Sequence, residues 1–158
     1  MLTGMAQFSV KDTLLVYYGD ILTNMNLKDL LCYHKSQRSS ATVALASGFT
    51  VRVGLADLDD DGKIRGFVEK PELEKPVSMG ILVFKGETLE DMELLKKGRR
   101  KLDLMGDVIP YLIKVGKPVY GYLSDAFWYD VGSTEAYEKL SPKLVEEKFR
   151  EILGNDTF

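Results

Sequence analysis

The feature that most constrains the fold is a series of short, unbroken apolar runs alternating with segments of helical periodicity. Thr13-Leu14-Leu15-Val16-Tyr17-Tyr18 is the first run, and Gly19-Asp20 stops it. Its lack of polar alternation predicts a strand covered on both faces, as in a parallel α/β sheet. Ala41 to Ala46 and Ser78 to Phe84 have the same character. Between the first two, Leu27, Leu30, Leu31 and His34 fall at i, i+3, i+4 and i+7, one face of a helix. Asn26 can cap that helix, with Asp29 near its positive first turn. Glu87 to Lys97 carries Leu89, Met92 and Leu95 on one side and stops at Gly98, which predicts another helix.

Asp107 to Val115 predicts a further helix with Val108, Ile109, Leu112 and Ile113 inward. Pro110 fits only in its first turn, where the missing N–H has no partner to lose. Val119 to Leu123 and Phe127 to Val131 read as short strands. The tail from Ser133 is mostly helical, and Pro142 suits the start of a new helix. Val51, Val53 and Leu55 alternate before Asp59-Asp60-Asp61-Gly62, with Ile64 to Glu69 following, which is a hairpin signal. These elements predict a layered α/β fold with a mixed sheet, an inserted β-hairpin and C-terminal helices.

Charge and composition exclude several function classes. The formal charge of −3 gives no electrostatic case for nucleic acid or an anionic membrane. The basic run Lys96 to Lys101 reads as a solvated helix end and loop. The single cysteine, Cys32, excludes an intrachain disulfide and a cysteine zinc cluster, and with no base beside it a buried thiol is expected. His34 is the only histidine, which rules out a catalytic triad; on its leucine face it reads as a packing residue. No apolar stretch reaches transmembrane length and no secretory leader pattern opens the chain, so a reducing cytoplasm is expected. At 158 residues, one domain spanning 1–158 is expected.

Three places carry residue types suited to chemistry. Asp20 follows a strand and a glycine, and ligands of open α/β sheets bind beyond the strands' carboxyl ends. Asp130, in Phe127-Trp128-Tyr129-Asp130-Val131-Gly132, repeats the arrangement, although it could equally cap the helix near Ser133. Two such carboxylates could hold Mg²⁺, a hard cation that takes oxygen ligands. Glu69-Lys70-Pro71 closes the strand after the hairpin, offering a cation for a phosphate and a carboxylate for hydroxyl groups. Asp57 to Gly62 imitates the first half of a calcium loop. Its last acid is misplaced, because Val68 stands where it belongs and the glutamate is Glu69, and the flanks alternate like strands.

The order of these signals resembles the sugar-1-phosphate nucleotidyltransferases. The resemblance runs through Tyr18-Gly19-Asp20-Ile21-Leu22, Asn26 to Leu30 with His34, Val53-Gly54, Asp61-Gly62 and Phe67-Val68-Glu69-Lys70-Pro71. It continues through Ser78-Met79-Gly80-Ile81, Asp107-Val108-Ile109-Pro110 and Trp128 to Ser133. It implies a Rossmann-like fold in which Asp20 and Asp130 hold the catalytic Mg²⁺, with Lys70 on the sugar phosphate. It also implies that Glu69 binds sugar hydroxyls, and that Gly54 and Gly80 line the sugar pocket, where a side chain would obstruct the ligand. The implied substrates are a sugar 1-phosphate and a nucleoside triphosphate, joined by in-line attack on the α-phosphorus with release of pyrophosphate.

The family's glycine-rich phosphate loop has no counterpart here, since no Gly-x-Gly occurs, and Met1 to Val10 corresponds to the segment just ahead of the Gly-Asp strand. The chain therefore reads as a truncated, C-terminal part of a nucleotidyltransferase domain, inactive alone. The alternative is a non-catalytic sugar-phosphate-binding or regulatory subunit that pairs with a complete homologue. In either case the strand Leu14 to Tyr18 loses a neighbour, and a homodimer through that open edge is expected unless Leu2 to Val10 folds back over it.

Overall fold

A computed structural model of the chain describes residues 11–51 and 53–153. The strands are β1 (Thr13–Tyr17), β2 (Ile21–Thr23), β3 (Ala41–Ala46), β4 (Gly54–Leu58), β5 (Ile64–Glu69), β6 (Val77–Lys85), β7 (Val119–Leu123) and β8 (Trp128–Asp130). The helices are α1 (Leu27–Ser36), α2 (Thr88–Lys96), α3 (Ile109–Lys114), α4 (Thr134–Lys139) and α5 (Pro142–Leu153).

Four strands make the main sheet in the order β1-β6-β3-β7, while β2 with β8 and β4 with β5 form two small ribbons. The sheet is mixed, because β6 runs antiparallel to both β1 and β3 whereas β7 is parallel to β3. The parallel setting expected for the first apolar run is therefore corrected, while its cover on both faces holds: Leu14 and Val16 pack into one core and Leu15 against the other. Among the described residues β1 is an edge strand, with Leu14 buried and Tyr17 exposed. An unbroken apolar run reports apolar neighbours, but neither strand direction nor place in the sheet. The central position belongs to β6, whose Met79 to Phe84 are all buried. Residues 1–10, where a covering segment was considered, lie outside the described residues.

Successive β6 side chains point to opposite faces, and each face has its own core. Leu82 and Phe84 pack with Met92 of α2 and with Val108 and Leu112 around α3. Met79, Ile81 and Val83 pack with Leu30 of α1 and Met25. The main sheet is thus covered on both faces.

Asn26 caps α1, its Oδ1 accepting from the Lys28 N–H at 3.0 Å. Leu30 and His34 point inward on that helix, which leaves Cys32 two residues round from each. The expectation of a buried thiol is corrected: Cys32 is exposed. His34 is buried, and its Nδ1 shares a 2.8 Å hydrogen bond with Thr42 Oγ1.

The helix expected over 107–115 is composite. A π-helical turn at Leu104–Val108 leads into α3, with Asp103 Oδ1 accepting from the Met105 and Gly106 N–H groups. Val108, Ile109 and Leu112 are buried as expected, but Ile113 is 60% exposed. At about 100° per residue Ile113 lies at the margin of the face that Val108, Leu112 and Ile109 share, one residue before α3 ends at Lys114.

Between β4 and β5 the acidic segment is a hairpin loop. Asp59 Oδ1 accepts from the Lys63 N–H at 2.8 Å, and Gly62 supplies a φ of +81°. Among the described residues no group of three or more His, Cys, Asp or Glu side chains is placed to hold a metal ion, and no helix is long and apolar enough to cross a membrane.

Burial, and secondarily Lys35, lowers the pKa of His34. The unfolded chain therefore takes up this proton first as pH falls. Stability from neutral His34 is complete above the unfolded value of about 6.5 and is lost as pH falls from there toward the folded pKa. We expect urea midpoints of the wild-type chain to drop across that window, and the drop to shrink in His34→Gln.

Candidate functional site

The site starts where β1 ends. Tyr18 donates its N–H to Gly80 O at 3.0 Å, the chain turns through Gly19, and the Ile21 N–H returns to Tyr18 O at 3.2 Å. The chain then leaves the main sheet as β2 and pairs with β8, Ile21 opposite Asp130 and Thr23 opposite Trp128. A further bond from the Val131 N–H to Asp20 O, 2.8 Å, extends the pairing by one step. Asp20 and Asp130, 110 positions apart in the sequence, are thereby brought together.

Gly132 shows how closely they converge. A Cβ on it would lie 2.9 Å from Asp130 Oδ1 and 3.0 Å from Asp20 Oδ2, so both oxygens border one small space. Asp130 Oδ1 accepts the Gly132 N–H at 2.7 Å, which aims the carboxylate toward that space. The helix cap that Asp130 might have supplied is made by Ser133 instead, whose Oγ accepts from the Ala136 N–H at 3.1 Å.

Both aspartates line an open cleft of about 1000 Å³. Its lining includes Trp128 and Tyr129 and the segment Ser47 to Val51. Trp128 donates Nε1–H to Met79 O at 3.0 Å, and Tyr129 donates its hydroxyl to Ala136 O at 3.0 Å. Burial, then the carboxylates of Asp103 and Asp20, raise the pKa of Tyr18 beside the turn.

The other expected site residues stand outside the cleft lining. Gly54 and Glu69 are cross-strand partners at the base of the hairpin, and a Cβ on Gly54 would come within 2.9 Å of Glu69 Oε2. Lys70 follows with φ +50°, a left-handed conformation that is costly for a side-chain-bearing residue. This group is tied to the cleft wall, since the Val51 N–H reaches Pro71 O at 2.9 Å and the Leu73 N–H reaches Phe49 O at 2.8 Å. Gly80 has φ +72°, and a Cβ there would lie 2.9 Å from Ile21 Cγ1. What limits its size in this structure is the passage of β2.

Sequence reasoning missed the cleft wall. Its signal was the Ser47-Gly48 break after the apolar run of β3, at the carboxyl end of a strand, where crevices form.

The family model for nucleotidyl transferases matches residues 2–147. The chain belongs to the nucleotidyl transferase family. The resemblance read from the motifs therefore holds for the family. Within it, the chain is 32% identical over 137 residues to a glucose-1-phosphate adenylyltransferase of Lachnospira eligens, covering 84% of this chain and 32% of that one. It is 33% identical over 145 residues to the enzyme of the same name from Clostridium novyi, covering 85% and 37%. This nucleotidyl transferase chain thus spans about a third of the length of those curated relatives. Its fold matches that of a Bacillus anthracis protein assigned as a glucose-1-phosphate thymidylyltransferase, in complex with a sucrose. The TM-score is 0.58 at 22% identity, covering 82% of this chain and 53% of that one.

The contact at Gly80 gives a stability test. Gly80→Ala must either move Ile21 or relax a left-handed backbone, and is expected to cost about 1–3 kcal/mol in urea unfolding. Gly19→Ala, with nothing within 4 Å of its added Cβ, should stay within about 0.5 kcal/mol of wild type.

Proposed function

We propose that the chain carries the sugar-phosphate side of a sugar-1-phosphate nucleotidyltransferase site. The observation that carries this reading is the convergence of the Asp20 and Asp130 carboxylates at Gly132. Two hard oxygen donors at the mouth of a cleft fit a divalent cation whose remaining positions go to phosphate oxygens and water. Mg²⁺ bound there would neutralise phosphate charge during nucleotidyl transfer. The relatives' names specify glucose 1-phosphate, and we extend a hexose 1-phosphate to this chain on that basis.

The reaction forms a bond from a sugar-phosphate oxygen to the α-phosphorus of a nucleoside triphosphate and breaks the bond to pyrophosphate. This chemistry needs positioning and charge rather than a protein nucleophile, and the chain's residues suit those roles. Lys70 brings an ammonium group to the sugar phosphate, and the left-handed turn at Lys70 is consistent with a position held for function. Glu69 accepts from sugar hydroxyls, and Gly54 keeps the space beside it open. Gly80 serves the site indirectly, by letting β2 carry Asp20 close to β6. A reducing cytoplasmic setting agrees with the single, exposed Cys32.

Mn²⁺ binding in the presence of glucose 1-phosphate, followed by electron paramagnetic resonance, tests the metal assignment. Asp20→Asn and Asp130→Asn should each weaken binding at least about tenfold, because one of only two protein carboxylates loses its charge. Gly132→Ala should weaken it too, by displacing both oxygens. Unchanged binding in both aspartate variants sinks the reading.

We further propose a homodimer through the edge of β1. Thr13 to Tyr17 carries no charge to discourage pairing with a second copy, and Tyr17 is 38% exposed. Sedimentation velocity should show concentration-dependent dimerisation that Tyr17→Lys abolishes. A monomer at every concentration, or a dimer indifferent to that substitution, contradicts it.

A further inference from the structure

Phe49 is a large aromatic residue left 39% exposed on the wall of a cleft. We propose that Phe49 seats the sugar ring of the sugar 1-phosphate and discriminates among sugars. This inference rests on the reading of the cleft given above, and adds to it a residue that neither motif spacing nor the apolar runs single out.

The first argument is presentation. The β3 strand ends at Ala46, and Gly48, with φ +72°, turns the chain before Phe49. The backbone beyond that turn is fixed. Phe49 O accepts from the Leu73 N–H at 2.8 Å, Thr50 pairs with Glu72, and the Val51 N–H reaches Pro71 O at 2.9 Å. The ring itself rests against Trp128, with centroids 5.9 Å apart and planes tilted by 57°. Trp128 is in turn anchored to Met79 O. An aromatic ring held this firmly yet left exposed in a cleft suits ligand contact better than core packing.

The second argument is chemical. Among the described residues the cleft lining offers two carboxylates, the hydroxyls of Ser47, Thr50 and Ser133, the aromatic rings of Phe49, Trp128 and Tyr129, and no lysine or arginine. A pyranose matches that set, because its C–H face packs on an aromatic ring while its hydroxyls exchange hydrogen bonds with the Ser47, Thr50 and Ser133 hydroxyls. A nucleobase could also stack on Phe49; the sugar is favoured because residues 49–51 pair with residues 71–73, directly after the Glu69-Lys70 pair read above as contacting the sugar phosphate. The hydrogen bonds to Pro71 and Leu73 also place Phe49 on the same ladder that follows Lys70. Ring seating and phosphate contact are then set by one rigid unit, which is how a sugar can be selected by shape as well as by charge.

Trp128 is the chain's only tryptophan, so its fluorescence reports events at Phe49 directly. The full chain would be titrated in Mg²⁺ with glucose 1-phosphate, inorganic phosphate and a nucleoside triphosphate, and the affinities confirmed by equilibrium dialysis. Phe49→Ala is expected to raise the Kd for glucose 1-phosphate about tenfold, while Phe49→Tyr stays within about twofold. Inorganic phosphate should bind all three proteins alike. Thermal unfolding midpoints check that the variants keep the fold. The proposal is overturned if Phe49→Ala leaves glucose 1-phosphate affinity unchanged, or weakens inorganic phosphate as much as the sugar phosphate. It is also overturned if only the nucleoside triphosphate depends on the ring, which would make Phe49 a base platform. Wild-type chain that binds no sugar phosphate by either method removes both this inference and the reading of the cleft; binding that is indifferent to Phe49 removes the inference alone.

Discussion

The pairing of β2 with β8 is the contact on which the site depends. Three registered residue pairs and the bond from the Val131 N–H to Asp20 O join two segments from opposite parts of the chain. Neither strand belongs to the main sheet, and each is only three residues long. A two-stranded ribbon of that size is not stable by itself. It persists because its residues and their neighbours are anchored elsewhere: Trp128 to Met79 O, Asn24 Nδ2 to Lys148 O at 2.8 Å, and Ile21 against Gly80. The convergence of two like charges at Gly132 is thus imposed by backbone pairing and offset by the Gly132 N–H, rather than arising from any attraction between the carboxylates.

Glycines act here as clearances. Gly132 leaves room for two carboxylates, Gly80 for Ile21, and Gly54 for Phe67 and Glu69. In each case a single added carbon would meet an atom within about 3 Å, a clash with a specific partner. Gly54 was read from the sequence as pocket lining, and in the structure a Cβ there would first meet Phe67 Cζ. Gly80 received the same reading, and its nearest obstacle is likewise protein, Ile21 Cγ1 at 2.9 Å. A glycine in a motif signals close approach, but the sequence does not say whether a ligand or another strand is approaching.

The hairpin illustrates another limit. Its strands and its loop were legible because Asp59 and Gly62 supply the turn chemistry and the flanks alternate. The apolar side chains of that alternation do not reach a core: Val53, Leu55, Phe67 and Val68 are all more than half exposed. Alternation specifies that a strand has two different faces, and leaves open whether anything covers either of them. The same gap separated the apolar run of β1 from its actual position at the edge of the sheet, and Cys32 from its expected burial.

The sequence by itself determined the layered α/β class, the order and approximate bounds of the elements, the Asn26 cap, the Asp59-to-Gly62 turn and the family. All of these follow from local spacing and residue type, which short-range sterics and hydrogen bonding translate directly into structure. Tertiary structure alone decided that β1 runs antiparallel at an edge of the sheet among the described residues, that a π turn leads into α3, and that Asp20 and Asp130 share one small space. It also decided that Phe49 faces a cleft beside Trp128. Each of these depends on contacts between residues far apart in the chain. The free energy of such contacts is set by which surfaces remain uncovered once the local elements have formed, and no local pattern encodes that.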